Sequence, residues 1–101
     1  DSVKGYVTAN FKDPDLSLTS AAEHAYVSTG YLSGLFKKET GTNFVKYLTD
    51  VRMEKSIQLL RTTDMKTYEI AFETGFSNPH YFSVAFKKYT GMSPSEFRAK
   101  E

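Results

Sequence analysis

The sequence predicts an all-α fold of about seven helices, and three observations carry that prediction. Apolar residues recur at helical spacing through almost every segment, as in Val3, Val7 and Phe11, or Phe44, Leu48 and Val51. No Asn-Gly or Asp-Gly pair offers a hairpin turn. Residues 30–41 (GYLSGLFKKETG) return as residues 80–91 (HYFSVAFKKYTG) at a single offset of 50, so one helical unit is written twice.

Each element follows from local signals. Val3, Val7 and Phe11 predict a first helix ending near Lys12, before the turn in Asp13-Pro14-Asp15. Ser17 is the N-cap of a short second helix through about His24. Ser28 caps a third, to about Glu39, with Leu32, Leu35 and Phe36 on one face and Gly41 just past its end. A long amphipathic helix runs from about Asn43 to Arg61, its stripe continuing through Met53, Ile57 and Leu60. Ile70 and Ala71 belong to a short helix that stops at Gly75. Asn78 then caps a helix with Pro79 at its first position, where the missing N–H costs nothing, and Gly91 ends it. Ser93-Pro94-Ser95-Glu96 is a capping box that opens a last short helix through about Ala99.

Composition bounds what such a chain does. Its 101 residues are enough for one small domain or two very small ones sharing a wall, and leave little room for a catalytic cleft. With 40% hydrophobic and 25% charged residues it reads as an ordinary globular domain. No apolar run is long enough to span a membrane. The absence of cysteine removes disulfides and thiol chemistry and fits a reducing compartment. Beginning at Asp1 without a signal pattern, the chain reads as a piece of a longer polypeptide. A net charge of +1 does not by itself announce a nucleic-acid binder, but the basic excess lies after Ala25, where the repeat lies.

Each repeat is a short helix, a tight turn and a second helix, the arrangement in which the second helix enters the major groove of DNA. In the second copy Ala71 is small enough for close helix approach, Gly75 can take positive φ, and Phe76 plugs the corner. Ala21, Ala25 and Tyr26 are the matching residues at the offset of 50, and a left-handed Ala25 would cost about 1–2 kcal/mol. Tyr81, Phe82 and Phe86 read by default as core. Lys37, Lys38, Lys87 and Lys88 read by default as a solvated face. The organisation expected is a first helix-turn-helix subdomain over 1–42, a linker helix over 43–62 and a second subdomain over 63–101. A linker of roughly 19 residues spans about 29 Å, close to the roughly 34 Å between successive major-groove faces. Because the two heads differ in sequence, the site they read would be asymmetric.

The runs FVKYLTDVRMEKSIQLL and EIAFETGFSNPHYFSVAFKKYTGMSPSEFR resemble the AraC/XylS family of bacterial transcription regulators over essentially the whole chain. FKKETG and YLTDVRMEK further resemble output domains of YesN-type response regulators. The resemblance implies two helix-turn-helix units joined by a linker helix that bind double-stranded promoter DNA, usually activating transcription by contacting RNA polymerase in the cytoplasm. It places the DNA-reading face at Thr29, Gly30, Ser33, Gly34 and Lys37 in the first recognition helix. In the second it places that face at Pro79, His80, Ser83, Val84 and Lys87, with Asn78 at the helix start. Many relatives carry Arg at the places of Gly34 and Val84, where it can donate two bonds to guanine. Their replacement implies more reliance on phosphate contacts and DNA shape, and a preference for A/T-rich sites.

Other residues stay between two readings. His24 reads as surface, with no metal spacing around it. His80, at N2, is open between a DNA contact and plain surface, and Arg52 and Arg98 between structural partners and DNA ligands. A competing function is a helical protein-interaction module contacting RNA polymerase with weak base readout. An enzyme is not expected: there is no thiol, acid/base pair or Gly-rich phosphate loop, and DNA-repair relatives of this fold would need nucleophilic Cys. No cofactor, metal, membrane or small-molecule ligand of this domain is expected.

Overall fold

The structure, a computed structural model, describes residues 2–100. Among them are seven helices and no strand: α1 (Ser2–Asn10), α2 (Leu18–Ala25), α3 (Thr29–Thr40), α4 (Phe44–Thr62), α5 (Thr67–Glu73), α6 (Pro79–Thr90) and α7 (Pro94–Lys100). The all-α expectation holds. The chain divides into two compact units, Asp1–Val51 and Arg52–Glu101, with α4 contributing to each.

The first unit packs around Val7, Phe11, Leu16, Ala21, Ala22, Leu32, Phe36, Phe44 and Leu48. Helix α1 stops at Asn10, short of the expected Lys12. The Asn10 carboxamide turns back to the Tyr6 carbonyl (2.8 Å), and Asp13 N–H bonds the Asn10 carbonyl (3.0 Å), so the chain turns there. Phe11 is therefore buried from the turn, outside the helix. Ser17 caps α2 as expected, with Ser20 completing a reciprocal box: each main-chain N–H is bonded by the other's hydroxyl at 2.9 and 3.0 Å.

The second unit packs around Met53, Leu60, Ile70, Ala71, Phe76, Phe82, Phe86 and Phe97. One polar pair interrupts this apolar set. Thr74 Oγ1 donates to the Ile70 carbonyl (2.8 Å) and accepts from Ser56 Oγ (3.1 Å), and both residues are buried. Satisfied in this way, the two hydroxyls avoid the cost of burial without a partner. Arg98 is structural: its guanidinium donates to the main-chain carbonyls of Leu60, Thr63 and Met65, tying α7 to the end of α4. The Arg52 guanidinium lies over the Phe76 ring, 5.7 Å from its centroid.

Repetition extends to side-chain geometry. Phe36 meets Tyr47 edge-on at 5.3 Å, and Phe86 meets Phe97 edge-on at 5.6 Å, both pairs related by 50 residues. Thr40 and Thr90 each bond back to the carbonyl four residues earlier, and Gly41 and Gly91 end their helices at φ 78° and 88°. The corners before α3 and α6 break the offset. Val27 N–H bonds the Ala22 carbonyl (3.1 Å) and Phe76 N–H bonds the Ala71 carbonyl (2.9 Å), the same helix-ending motif displaced by 49. Ser77 is the extra residue in the second turn. The matching set for Ala71, Gly75 and Phe76 is thus Ala22, Tyr26 and Val27, correcting the assignment to Ala21, Ala25 and Tyr26. Ala25 remains in α2, and Tyr26 takes the left-handed conformation at φ 59°.

Candidate nucleic-acid interface

Two helices share the features of a reading element. Ser28 Oγ accepts from Tyr31 N–H (3.1 Å) at the start of α3, and Asn78 Oδ1 accepts from Tyr81 N–H (3.0 Å) at the start of α6. Pro79 occupies the first position of α6. Leu32 and Phe36 turn one side of α3 into the first core, and Phe82 and Phe86 do the same for α6 in the second. The helix period then decides what faces outward.

On α3 all five expected residues, Thr29, Gly30, Ser33, Gly34 and Lys37, are exposed. On α6, His80, Val84 and Lys87 are exposed, and Pro79 and Ser83 are half-buried. Asn78 is exposed, but its carboxamide oxygen is engaged in capping. A methyl group added at Gly30 or Gly34 would meet nothing within 4 Å, so packing does not require glycine at either place. Val84, 55% exposed, has no packing reason to be apolar either. Lys37, Lys38, Lys87 and Lys88 lie in the last turns, beside the negative ends of the helix dipoles, and keep both faces cationic.

The remaining candidates lie elsewhere. His24 stacks on Tyr6 with ring centroids 5.0 Å apart, on α2. Among the described residues no cluster of His, Asp and Glu is arranged to hold a metal. The default reading of Tyr81 as core does not hold: the helix period turns it away from Phe82 and Phe86, and it is 62% exposed. Its repeat partner Tyr31, 61% exposed, was given no role from sequence, and the signal that could have found it is its place in the repeated stretch.

A family model described as a helix-turn-helix domain matches residues 21–100, which takes in both pairs of helices. The chain belongs to the AraC/XylS family. It is a DNA-binding helix-turn-helix domain of the kind found in transcription regulators. Among its relatives, the transcriptional regulatory protein YesN of Bacillus subtilis is 48% identical over 92 residues, covering 88% of this chain and 25% of that protein. The C-terminal domain of AraT, a response regulator from Geobacillus stearothermophilus, has the same fold with a TM-score of 0.95 and 42% identity, over 99% of this chain and 83% of that one. The DNA-binding domain of AdpA, solved with a target DNA, matches with a TM-score of 0.90 and 25% identity, over 98% of this chain and 88% of that one. The family member described here thus spans only a quarter of the YesN relative's length. No helix among its described residues is long and apolar enough to cross a membrane.

Proposed function

We propose that this chain is the sequence-reading part of a bacterial transcription activator, with α3 and α6 each inserted in a major groove of promoter DNA. The observation that carries the reading is the pair of capped helices whose inner residues are buried and whose outer residues, Pro79 and Ser83 apart, are exposed and cationic at their ends. Thr29, Gly30, Ser33, Gly34 and Lys37 form one reading face; Asn78, Pro79, His80, Ser83, Val84 and Lys87 form the other. In this reading the two heads engage successive grooves, as the family resemblance implies.

The open space around Gly34 supports close backbone approach to DNA, and the exposed Val84 suits contact with a thymine methyl. Neither supplies a bidentate bond to guanine. Lys37 and Lys87 neutralise phosphates, so affinity falls with salt. The similarity to YesN and AraT supports a response-regulator output domain working in the cytoplasm, and family membership supports activation through contact with RNA polymerase. The domain binds DNA and performs no chemical step.

Site selection from random DNA with wild type and Val84→Arg is the direct test. The variant is expected to shift the consensus toward guanine at one or two positions of one half-site. An unchanged consensus at every position removes Val84 from the reading face.

A further inference from the structure

This inference rests on the reading of α3 and α6 as DNA-reading helices. At the offset of 50, Thr29/Pro79, Gly30/His80 and Gly34/Val84 differ, whereas Tyr31/Tyr81, Ser33/Ser83, Lys37/Lys87 and Lys38/Lys88 are identical. Heads that read different bases must differ where they touch base edges. The sugar-phosphate backbone beneath them is the same, so contacts to it need not differ. Shared outward residues are therefore the place to look for backbone ligands.

Among the shared residues the tyrosines stand apart. A large aromatic residue gains by burial, yet Tyr31 and Tyr81 leave 61% and 62% of their surface in water. Each is the third residue of its helix, with its main-chain N–H held by the cap. The Tyr81 ring rests on the buried Phe76, with centroids 6.3 Å apart, and Tyr31 borders an apolar groove beside Leu32 and Leu35. The rings are steadied from one side, and among the described residues neither hydroxyl has a protein partner. From Tyr31 to Lys38, and from Tyr81 to Lys88, seven residues fall about 20° short of two full turns. Each pair forms a stripe about 10 Å long on one flank of its reading face.

We infer that Tyr31 and Tyr81 are phosphate ligands. Each phenolic hydroxyl donates a hydrogen bond to a phosphate oxygen at the wall of the groove its helix enters, setting the helix's depth and register without choosing sequence. Such a donor is neutral and displaces no counterion, which separates it from lysine.

Tyr31→Phe and Tyr81→Phe keep the rings and remove the hydroxyls. Affinity would be measured over a salt series for a duplex selected by wild type and for a scrambled duplex of the same composition, after melting shows the fold intact. Each variant is expected to bind both duplexes about tenfold more weakly, with an unchanged slope of log K against log salt. Lys87→Ala, run beside them, should lower that slope by about one. Unchanged affinity of both tyrosine variants overturns the inference, as does a loss confined to the selected duplex, which would mark a base contact. If wild type shows no salt-dependent duplex binding and Lys87→Ala changes nothing, the DNA-reading assignment of the helices fails, and the phosphate role falls with it.

Discussion

The two units perform the same packing task with different side chains, and the contrast lies under the corner between their paired helices. At the displacement of 49, Val3, Val7, Ala21, Ala25 and Val27 of the first unit answer to Arg52, Ser56, Ile70, Thr74 and Phe76 of the second. In the second unit Ile70, Thr74, Phe76 and Ser56 are buried, and Arg52 covers the Phe76 ring. In the first, these residues, smaller than their counterparts at every place but Val7, line an apolar groove of about 310 Å³ beside Tyr6, His24 and Leu35. Interiors are close-packed, so lost side-chain volume appears as open space unless the backbone collapses into it. A second contrast is conformational: Gly75 takes φ 96° without penalty, whereas Tyr26 takes φ 59° with a side chain 95% exposed. The same corner is thus built from a filled core and a permissive glycine in one unit, and from a partly open core and a strained tyrosine in the other.

The largest expected effect comes from making the second corner like the first. Phe76→Val removes the ring that packs on Phe82 at 5.0 Å and under Arg52. It should cost about 2–3 kcal/mol in urea unfolding; a loss under about 0.5 kcal/mol would mean that the corner ring does not account for the difference in packing. The reverse change acts on the backbone. Tyr26→Gly loses almost no buried surface and relieves the left-handed residue, so the free energy of unfolding should rise by about 0.5–1 kcal/mol after the added freedom of the unfolded chain is counted, with a higher midpoint in urea. A lower midpoint would show that the exposed ring contributes stability.

The smallest effect concerns the cap of α7, which differs chemically from that of α3. Glu96 accepts from the Ser93 main-chain N–H (2.9 Å), and this bond first, then the Ser93 hydroxyl and the nearby Lys87 charge, hold its carboxyl below the ordinary value. A depressed carboxylate pKa stabilises the fold at pH values above the unfolded pKa, and that contribution disappears as pH falls through the folded one. Wild type should therefore be slightly more stable than Glu96→Gln near neutral pH, and melting curves should converge in acid. A gap that persists at acid pH would assign the difference to something other than the charge.

Much of the fold was legible because its signals are local. Ser17, Ser28, Asn78 and Ser93 announce helix starts, and Gly41 and Gly91 announce helix ends, through bonds spanning only a few residues. The outward faces of α3 and α6 were legible for the same reason: Leu32, Phe36, Phe82 and Phe86 mark the inner side, and the helix period assigns the rest. The displacement of the corner was not. One inserted residue, Ser77, leaves both helices intact, and only the hydrogen bonds of Val27 and Phe76 show which residues correspond. Ser56 was hidden too, because a polar residue in an apolar stripe is informative only once its partner Thr74, 18 residues away, is in view.

By itself, then, the sequence determined the helices, the N-caps of α2, α3, α6 and α7, the inner faces of α3 and α6, and membership in a family of DNA readers. These depend on short-range hydrogen bonding and on periodic burial. Tertiary structure decided the rest: that Tyr26 bears the left-handed turn, that Arg98 ties α7 to α4, that the first corner is open and the second filled, and that Tyr31 and Tyr81 stand in solvent. Each of those depends on volume and on partners distant along the chain, quantities that a linear pattern does not encode.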